Sequence, residues 1–311
     1  MSQQYCIVGL GELLWDLLPT GRQLGGAPAN FAVMAARLGN HGIIASSIGP
    51  DEAGQEALSR LAALSADTSY LQTDADHPTG TVSVALREGQ PEYVIHQPVA
   101  WDYLQWTPEW SALARRVHAV CFGTLAQRSP VSRETIHAFL DATMPTCVRV
   151  FDVNLRRPFF DGAVIARSLE KATCVKLNDA EMPQVLSLLG LAAESGTDES
   201  SLHRGALLLL NHFPLQLVCI TMGAEGSLLV TRDGHDRHFG LHANVRDTVG
   251  AGDAFTAALV HYFLQGAPLQ VLNEAGNRWG AWVASQPGAM PDLPADVSEQ
   301  IKNEIRKASG K

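Results

Sequence analysis

No stretch of the 311-residue sequence approaches the roughly 18 consecutive apolar residues of a membrane-crossing helix. No basic N-terminal segment leads into a long apolar run, so no secretory signal is expected. Positive charge is in deficit: 23 Lys and Arg face 32 Asp and Glu, for a net charge of −9. That balance argues against a nucleic-acid footprint. Cysteine is sparse and unpatterned. Cys6, Cys121, Cys147, Cys174 and Cys219 are odd in number, lie mostly within apolar runs and form no Cys-x-x-Cys pair. Buried free thiols in a reducing, cytoplasmic compartment are therefore expected, not disulfides or zinc ligands. There is no Gly-x-x-x-x-Gly-Lys-[Ser/Thr] loop, so any phosphate must be held by other means. Gly9-Leu-Gly11 lacks a third glycine, position 14 being leucine, which leaves the dinucleotide fingerprint of a dehydrogenase incomplete.

What is present is a 46% apolar composition, enough for a sizeable core. Short apolar runs at 5–10, 43–48, 117–122, 147–153, 173–177, 217–221 and 227–231 read as strands. Helical spacing marks 31–38, 52–64, 131–142, 165–171, 182–189, 202–212, 251–264 and 269–284. This alternation predicts an α/β fold with a doubly wound, mostly parallel sheet, helices on both faces and ligands at the carboxyl ends of its strands. Residues 12–18 and a hairpin of 79–87 with 92–97, turning at Glu88-Gly89-Gln90-Pro91, break the alternation. They suggest a small second sheet over a site; an extra edge hairpin is the alternative. Residues 1–311 are expected to form one domain with lid strands from 12–18 and 79–102. Residues 194–201 read as a loop.

The chemistry is expected at Asp247-Thr-Val-Gly-Ala-Gly-Asp253-Ala-Phe-Thr256. Its glycines open a helix, whose first N–H groups are unpaired and sit at the positive end of the dipole, favouring an anion. Asp253 in that first turn repels an anion. It makes sense if a phosphoryl group is transferred there and the carboxylate takes the proton of the attacking hydroxyl. The alternative is an acidic residue that merely suits the dipole. A second helix begins at Gly25-Gly26-Ala27-Pro28-Ala29-Asn30, and Asn30 is either a ligand contact or an ordinary helix residue. Asp16 lies either on an exposed strand face or in a cleft. Three polar clusters follow strands: Asp152-Val-Asn154-Leu-Arg156, Asn178-Asp-Ala-Glu181 and Thr221-Met-Gly223-Ala-Glu-Gly226. Each suits a turn; together, at strand ends, they suggest a site. Arg156 can grip a hydroxyl or a phosphate, and Glu181 can organise Mg²⁺ through water.

Gly25-Gly26-Ala27-Pro28-Ala29-Asn30-Phe31-Ala32 and Asp247-Thr-Val-Gly-Ala-Gly-Asp253-Ala-Phe resemble the two signature motifs of the PfkB, ribokinase-like, carbohydrate kinases. The likeness covers nearly the whole chain. It implies Asp253 as base and Gly250, Ala251 and Gly252 as anion hole. It implies Asp16, Gly26 and Asn30 as sugar contacts, and Asn178 and Glu181 as an Asn-x-x-Glu motif acting on Mg²⁺ and phosphate. Thr221, Gly223 and Gly226 match a nucleotide-site turn, and Asn277 the adenine side. Asp247, Val249 and Gly288 match a monovalent cation site, for which K⁺ is the candidate. The implied substrates are ATP and a sugar, with a homodimer through the lid.

Gly11-Glu12-Leu-Leu-Trp-Asp16 and the Asp152 to Arg156 cluster look like the fructokinase branch. Ketodeoxygluconate kinases share a similar Asp-x-Asn-x-Arg stretch. His96-Gln97-Pro98-Val99-Ala100-Trp101-Asp102 departs from the Arg-x-Pro-Ser-Ala-Asp pattern of many fructokinases. The expectation is phosphoryl transfer from MgATP to a primary hydroxyl of a ketose, fructose above others. A non-catalytic, nucleotide-dependent sugar sensor is the reading from another class.

Overall fold

The computed structural model describes residues 4–19, 21–87, 90–191 and 196–308, and the side chains among them except those of 84–93. Glu88 and Gly89 of the expected turn, and residues 194 and 195 of the expected loop, lie outside them. In chain order, β1 (Cys6–Leu10), β2 (Leu14–Leu18) and β3 (Gly21–Gly25) precede α1 (Ala27–Arg37), β4 (His41–Ile48), α2 (Glu52–Ala63) and β5 (Leu71–Thr73). Then come β6 (Gly80–Arg87), β7 (Gln90–Ile95), α3 (Pro108–Ala114), β8 (Ala119–Gly123), α4 (Pro130–Asp141) and β9 (Val148–Asp152). The chain continues through α5 (Gly162–Lys171), β10 (Cys174–Asn178), α6 (Glu181–Leu188), α7 (Glu199–His212) and β11 (Leu217–Thr221). It closes with β12 (Ser227–Val230), β13 (His235–His238), α8 (Ala251–Leu264), α9 (Leu269–Ala284) and α10 (Ala295–Ala308).

Nine strands form one sheet in the order β13-β12-β11-β10-β9-β8-β1-β4-β5. From β5 to β11 its neighbours run parallel, and β12 and β13 turn back antiparallel. Alternate residues of a strand face opposite sides, and here they enter different cores. Val8, Val120 and Phe122 join the residues of α4 to α7, whereas Ile7, Ala119 and Cys121 join those of α1, α8, α9 and α10. Helices thus cover both faces, as the alternation requires. All five cysteines are buried and free. No helix among the described residues is long and apolar enough to cross a membrane.

The remaining strands form a separate sheet in the order β3-β2-β6-β7. The expected strand at 12–18 begins only at Leu14, and a partner missed by sequence reading, β3, pairs with it antiparallel. Glycine at both ends and Arg-Gln at its middle give β3 no apolar alternation, so only pairing defines it. The same holds for β13, whose four residues are His-Asp-Arg-His. Strand β5 has three residues, too few for a pattern. By contrast α3 and α10 carried readable signals: Thr107 caps the first ahead of Pro108, and Ile301 and Ile305 are buried at helical spacing in the second.

The Gly9-Leu-Gly11 pair has a packing origin. A β-carbon on Gly9 would stand 1.9 Å from the carbonyl oxygen of Pro28, so α1 lies directly on β1. The close approach sets the height of Asn30 above the sheet. Gly9→Ala is expected to cost about 2 kcal/mol or more, because rigid backbone must move. Gly234→Ala, where a new carbon meets nothing, should stay within about 0.5 kcal/mol. Thermal or denaturant melts of the two variants check the difference.

Candidate active site

Asp152 ends β9, Asn178 ends β10 and Thr221 ends β11, so the three polar clusters share one rim of the main sheet. Helix α8 starts against that rim. Gly250 caps it at φ 79°, a left-handed conformation that a side chain would disfavour. Gly252 is an ordinary helical residue. What requires its missing side chain is Lys176, whose Nζ lies 3.0 Å from where a β-carbon would stand. Among the described residues the amides of Gly250, Gly252 and Asp253 have no protein acceptor, whereas Ala251 N–H donates to Thr248 O at 3.2 Å. The open amides at this helix start are therefore those of Gly250, Gly252 and Asp253.

Asn30 Nδ2 donates to Asp253 Oδ2 at 2.7 Å, joining residues 223 positions apart. Asn30 is 5% exposed, so neither residue is a surface decoration. Burial is the main reason the Asp253 carboxyl is pushed up to about 6; the negative charge of Asp152 adds to it. Lys176, the hydrogen bond from Asn30 and the charge of Arg156 oppose the rise. Lys176 Nζ meets both oxygens of Asp152, at 3.1 and 3.2 Å, its side chain 13% exposed and that of Asp152 5%. The two residues stand opposite one another on β10 and β9. Desolvation alone would lower the lysine's pKa, but Asp152, Asp253 and Glu181 together hold it well above its ordinary value.

Asp16 is half-buried rather than on an open face. Burial raises its carboxyl, and the charge of Arg156 opposes that rise. Arg156 is exposed, and its charge also acts on Asp253. Gly26 is the N-cap of α1, and a β-carbon there would lie 2.5 Å from the carbonyl oxygen of Glu12. A hydrogen bond and mutual charge effects thus bring Asp16, Asn30, Arg156 and Asp253 into one region, with Gly26 at the start of the helix that carries Asn30.

On the other side of the α8 end lies a cavity of about 530 Å³. Thr221, Gly223, Gly226, Ala251, Gly252 and Asn277 all line it, and Phe239, Leu241 and Val245 add an apolar wall. Asn277 contributes bulk more than hydrogen bonds. Its amide nitrogen already donates to Ser227 Oγ at 2.7 Å and Asn273 O at 2.8 Å. Asn178 and Glu181 hold each other: Glu181 N–H donates to Asn178 Oδ1 at 2.8 Å and Asn178 N–H to Glu181 Oε2 at 2.9 Å. The remaining Glu181 oxygen accepts from Leu155 N–H at 2.8 Å, which ties the Asp152 to Arg156 loop to α6. Asp247 likewise draws two positions together, accepting from Val249 N–H at 3.0 Å and Gly288 N–H at 3.1 Å.

Three residues of this rim went unremarked in the sequence. Lys176 is the one charge inside Cys174-Val-Lys-Leu, which was the available signal. Glu12 is 3% exposed and its Oε2 has no hydrogen-bond partner. Arg128 meets Asp102 with Nε at 2.7 Å and Nη2 at 2.8 Å, and Nη2 also donates to His96 O at 2.7 Å. Its guanidinium lies between the rings of Trp101 and Phe159, 3.9 and 4.8 Å from their centroids. This clamp fixes the 96–102 segment.

Open helix-end amides beside a carboxyl whose pKa burial raises, with a cavity next to them, suit an alcohol-accepting phosphotransferase. The pfkB family carbohydrate kinase model matches residues 19–296. The chain belongs to this family, and it is a sugar kinase. A probable fructokinase-3 of Arabidopsis thaliana is 27% identical over 94% of the chain and 89% of its own length. A solved fructokinase from Vibrio cholerae O395, holding fructose, ADP and calcium, is similar at 25% identity with a TM-score of 0.79, over 96% of this chain and 99% of that one. A sugar kinase from Pyrococcus horikoshii in complex with ATP gives 26% identity and a TM-score of 0.79, over 97% and 99%.

Removing the Asn30 donor takes a stabilising hydrogen bond from the carboxylate form of Asp253. Asn30→Ala is therefore expected to raise the Asp253 pKa above its starting value near 6. Carbon-13 NMR of labelled aspartate, assigned with Asp253→Asn, reads the shift.

Proposed function

We propose that the chain transfers the γ-phosphoryl group of ATP to a primary hydroxyl of a ketose, with fructose giving fructose 6-phosphate and ADP. The observation that carries this reading is the 2.7 Å contact of Asn30 with Asp253 at the open end of α8. It brings Asn30 and Asp253 together beside the open amides, which supports reading the one as a sugar contact and the other as the base. The named fructokinases among the relatives support the choice of acceptor, and the ATP-bound and ADP-bound neighbours support the donor.

Asp253 accepts the proton of the hydroxyl as its oxygen bonds to the γ-phosphorus, and the bond from that phosphorus to the ADP oxygen breaks. The amides of Gly252 and Asp253 face the charge that spreads over the group in transfer. Gly250 and Ala251 shape the helix end that presents them. Asp16, Gly26 and Asn30 orient the sugar, with Arg156 reaching over it. Thr221, Gly223 and Gly226 leave room for the nucleotide, and Asn277 closes its base end. Mg²⁺ supplies neutralisation of the phosphate charge when bound. Mg²⁺ usually keeps several waters, and a Glu181 already held by backbone amides fits contact through them. The Asp247 side chain and the Val249 carbonyl, with Gly288 close by, would be the ligands of a monovalent cation such as K⁺. The small sheet serves as a lid, and its outer face is the surface for a second copy.

A sugar acid such as ketodeoxygluconate is the second reading. The exposed Arg156, whose charge reaches Asp16 and Asp253, favours it because a guanidinium suits a carboxylate. Measuring ADP release with fructose, ribose, ketodeoxygluconate and nucleosides, with and without K⁺, separates the two.

Asp253→Ala is expected to lower kcat by about 10³-fold or more with little change in KM for the sugar. Near-normal turnover by that variant would defeat the assignment. Asp16→Ala should raise KM for the sugar; a change in KM for ATP alone would remove Asp16 from the acceptor side. In the wild type, activity should fall as pH drops through about 6, because the protonated Asp253 cannot accept a proton.

A further inference from the structure

We propose that Glu12 is a positioning residue that works as the neutral acid, so that its loss of a proton, not a change at Asp253, ends activity on the alkaline side. This rests on Asp253 being the base, as proposed above.

The argument begins with where Glu12 stands. It follows β1 at the point where the chain leaves the main sheet for the lid, and it is 3% exposed. Its Oε2 is buried with no donor in reach. An ionised carboxylate oxygen so placed loses its hydration without replacement, which is costly. The charges around it make matters worse. Glu12 faces Asp253 on α8, Asp152 at the end of β9 and Arg156 in the loop after β9. The same cluster holds Lys176 on β10 and the Cys121 thiol on β8, which burial keeps neutral. The one buried ammonium is matched by Asp152 with both oxygens. Arg156 is exposed and screened by water. A charge on Glu12 would therefore add a further carboxylate to Asp152, Asp253 and Glu181 around one buried cation.

Burial, first, and then the charges of Asp253 and Asp152 push the Glu12 carboxyl up to about 7, against the opposing effects of a hydrogen bond from its own backbone N–H and the charge of Arg156. The sign follows. Below its pKa Glu12 is neutral, and Asp253 alone carries the charge needed to draw a proton. Above it, Glu12 adds negative charge beside the place where a phosphoryl group must settle. Bound nucleotide phosphate favours the neutral form and moves this ionisation further alkaline. Lys176 cannot produce the alkaline loss, because its own pKa is held well above the ordinary lysine value.

Two measurements test this. In the first, kcat/KM for the acceptor is followed from pH 5 to 9.5 at saturating MgATP for the wild type, Glu12→Gln and Glu12→Asp. The wild type should fall about tenfold per pH unit beyond its alkaline limb. Glu12→Gln should keep the acid limb and fall by less than about twofold between pH 7.5 and 9.5, since nothing there titrates. Glu12→Asp, still an acid, should retain an alkaline limb. The second is calorimetry of MgADP binding at pH 8 in buffers of different ionisation enthalpy. The wild type should take up roughly half a proton and Glu12→Gln close to none. An unchanged alkaline limb in Glu12→Gln overturns the proposal. So does wild-type binding without proton uptake, a result that stands even if the glutamine variant fails to fold. Normal turnover by Asp253→Ala would instead defeat the functional reading, and the calorimetry would still decide Glu12.

Discussion

One hydrogen bond ties the molecule's two ends into a working site. Asn30 opens the first helix and Asp253 the eighth, and their contact at 2.7 Å forms only if both helices sit at the right height over the sheet. Gly9 sets that height for the first, by letting the Pro28 carbonyl rest where a side chain would be. At the second, the Gly252 backbone comes close to the ammonium of Lys176. Close backbone approaches on two sides thus flank a polar contact at the centre.

Charge balance is the second constraint on the rim. Asp152, Asp253 and Glu181 crowd one buried lysine, and Glu12 faces two of the three. A buried ion pair such as Lys176 with Asp152 is weak evidence for stability, but here it places a fixed positive charge under the base. The same lysine that lowers the Asp253 pKa is itself held charged by it. Their ionisation states are coupled.

Most of the main sheet was legible because buried parallel strands read as apolar runs and their helices carry apolar stripes. The motifs around Asn30 and Asp253 were legible too, since glycine and proline at helix starts leave a pattern. Strands β3 and β13 were not: their residues are polar, and only pairing with a neighbour makes them strands. Lys176, Glu12 and Arg128 were missed for a related reason. The charges of Lys176 and Arg128 look like noise until their partners, far away in sequence, are known, and the burial of Glu12 shows only in the fold. Asp102 and Arg128 are 26 positions apart, and Asp152 and Lys176 are 24.

The guanidinium of Arg128 has a mechanical consequence. Held flat between Trp101 and Phe159 and bonded to Asp102 and His96, it rivets the chain returning from the small sheet onto the body of the protein. At the opposite corner the Trp15 indole donates to Ala53 O at 2.9 Å, a second rivet. With its root pinned at two corners, the four-stranded sheet is held most firmly where β2 leaves the body of the protein, beside Asp16.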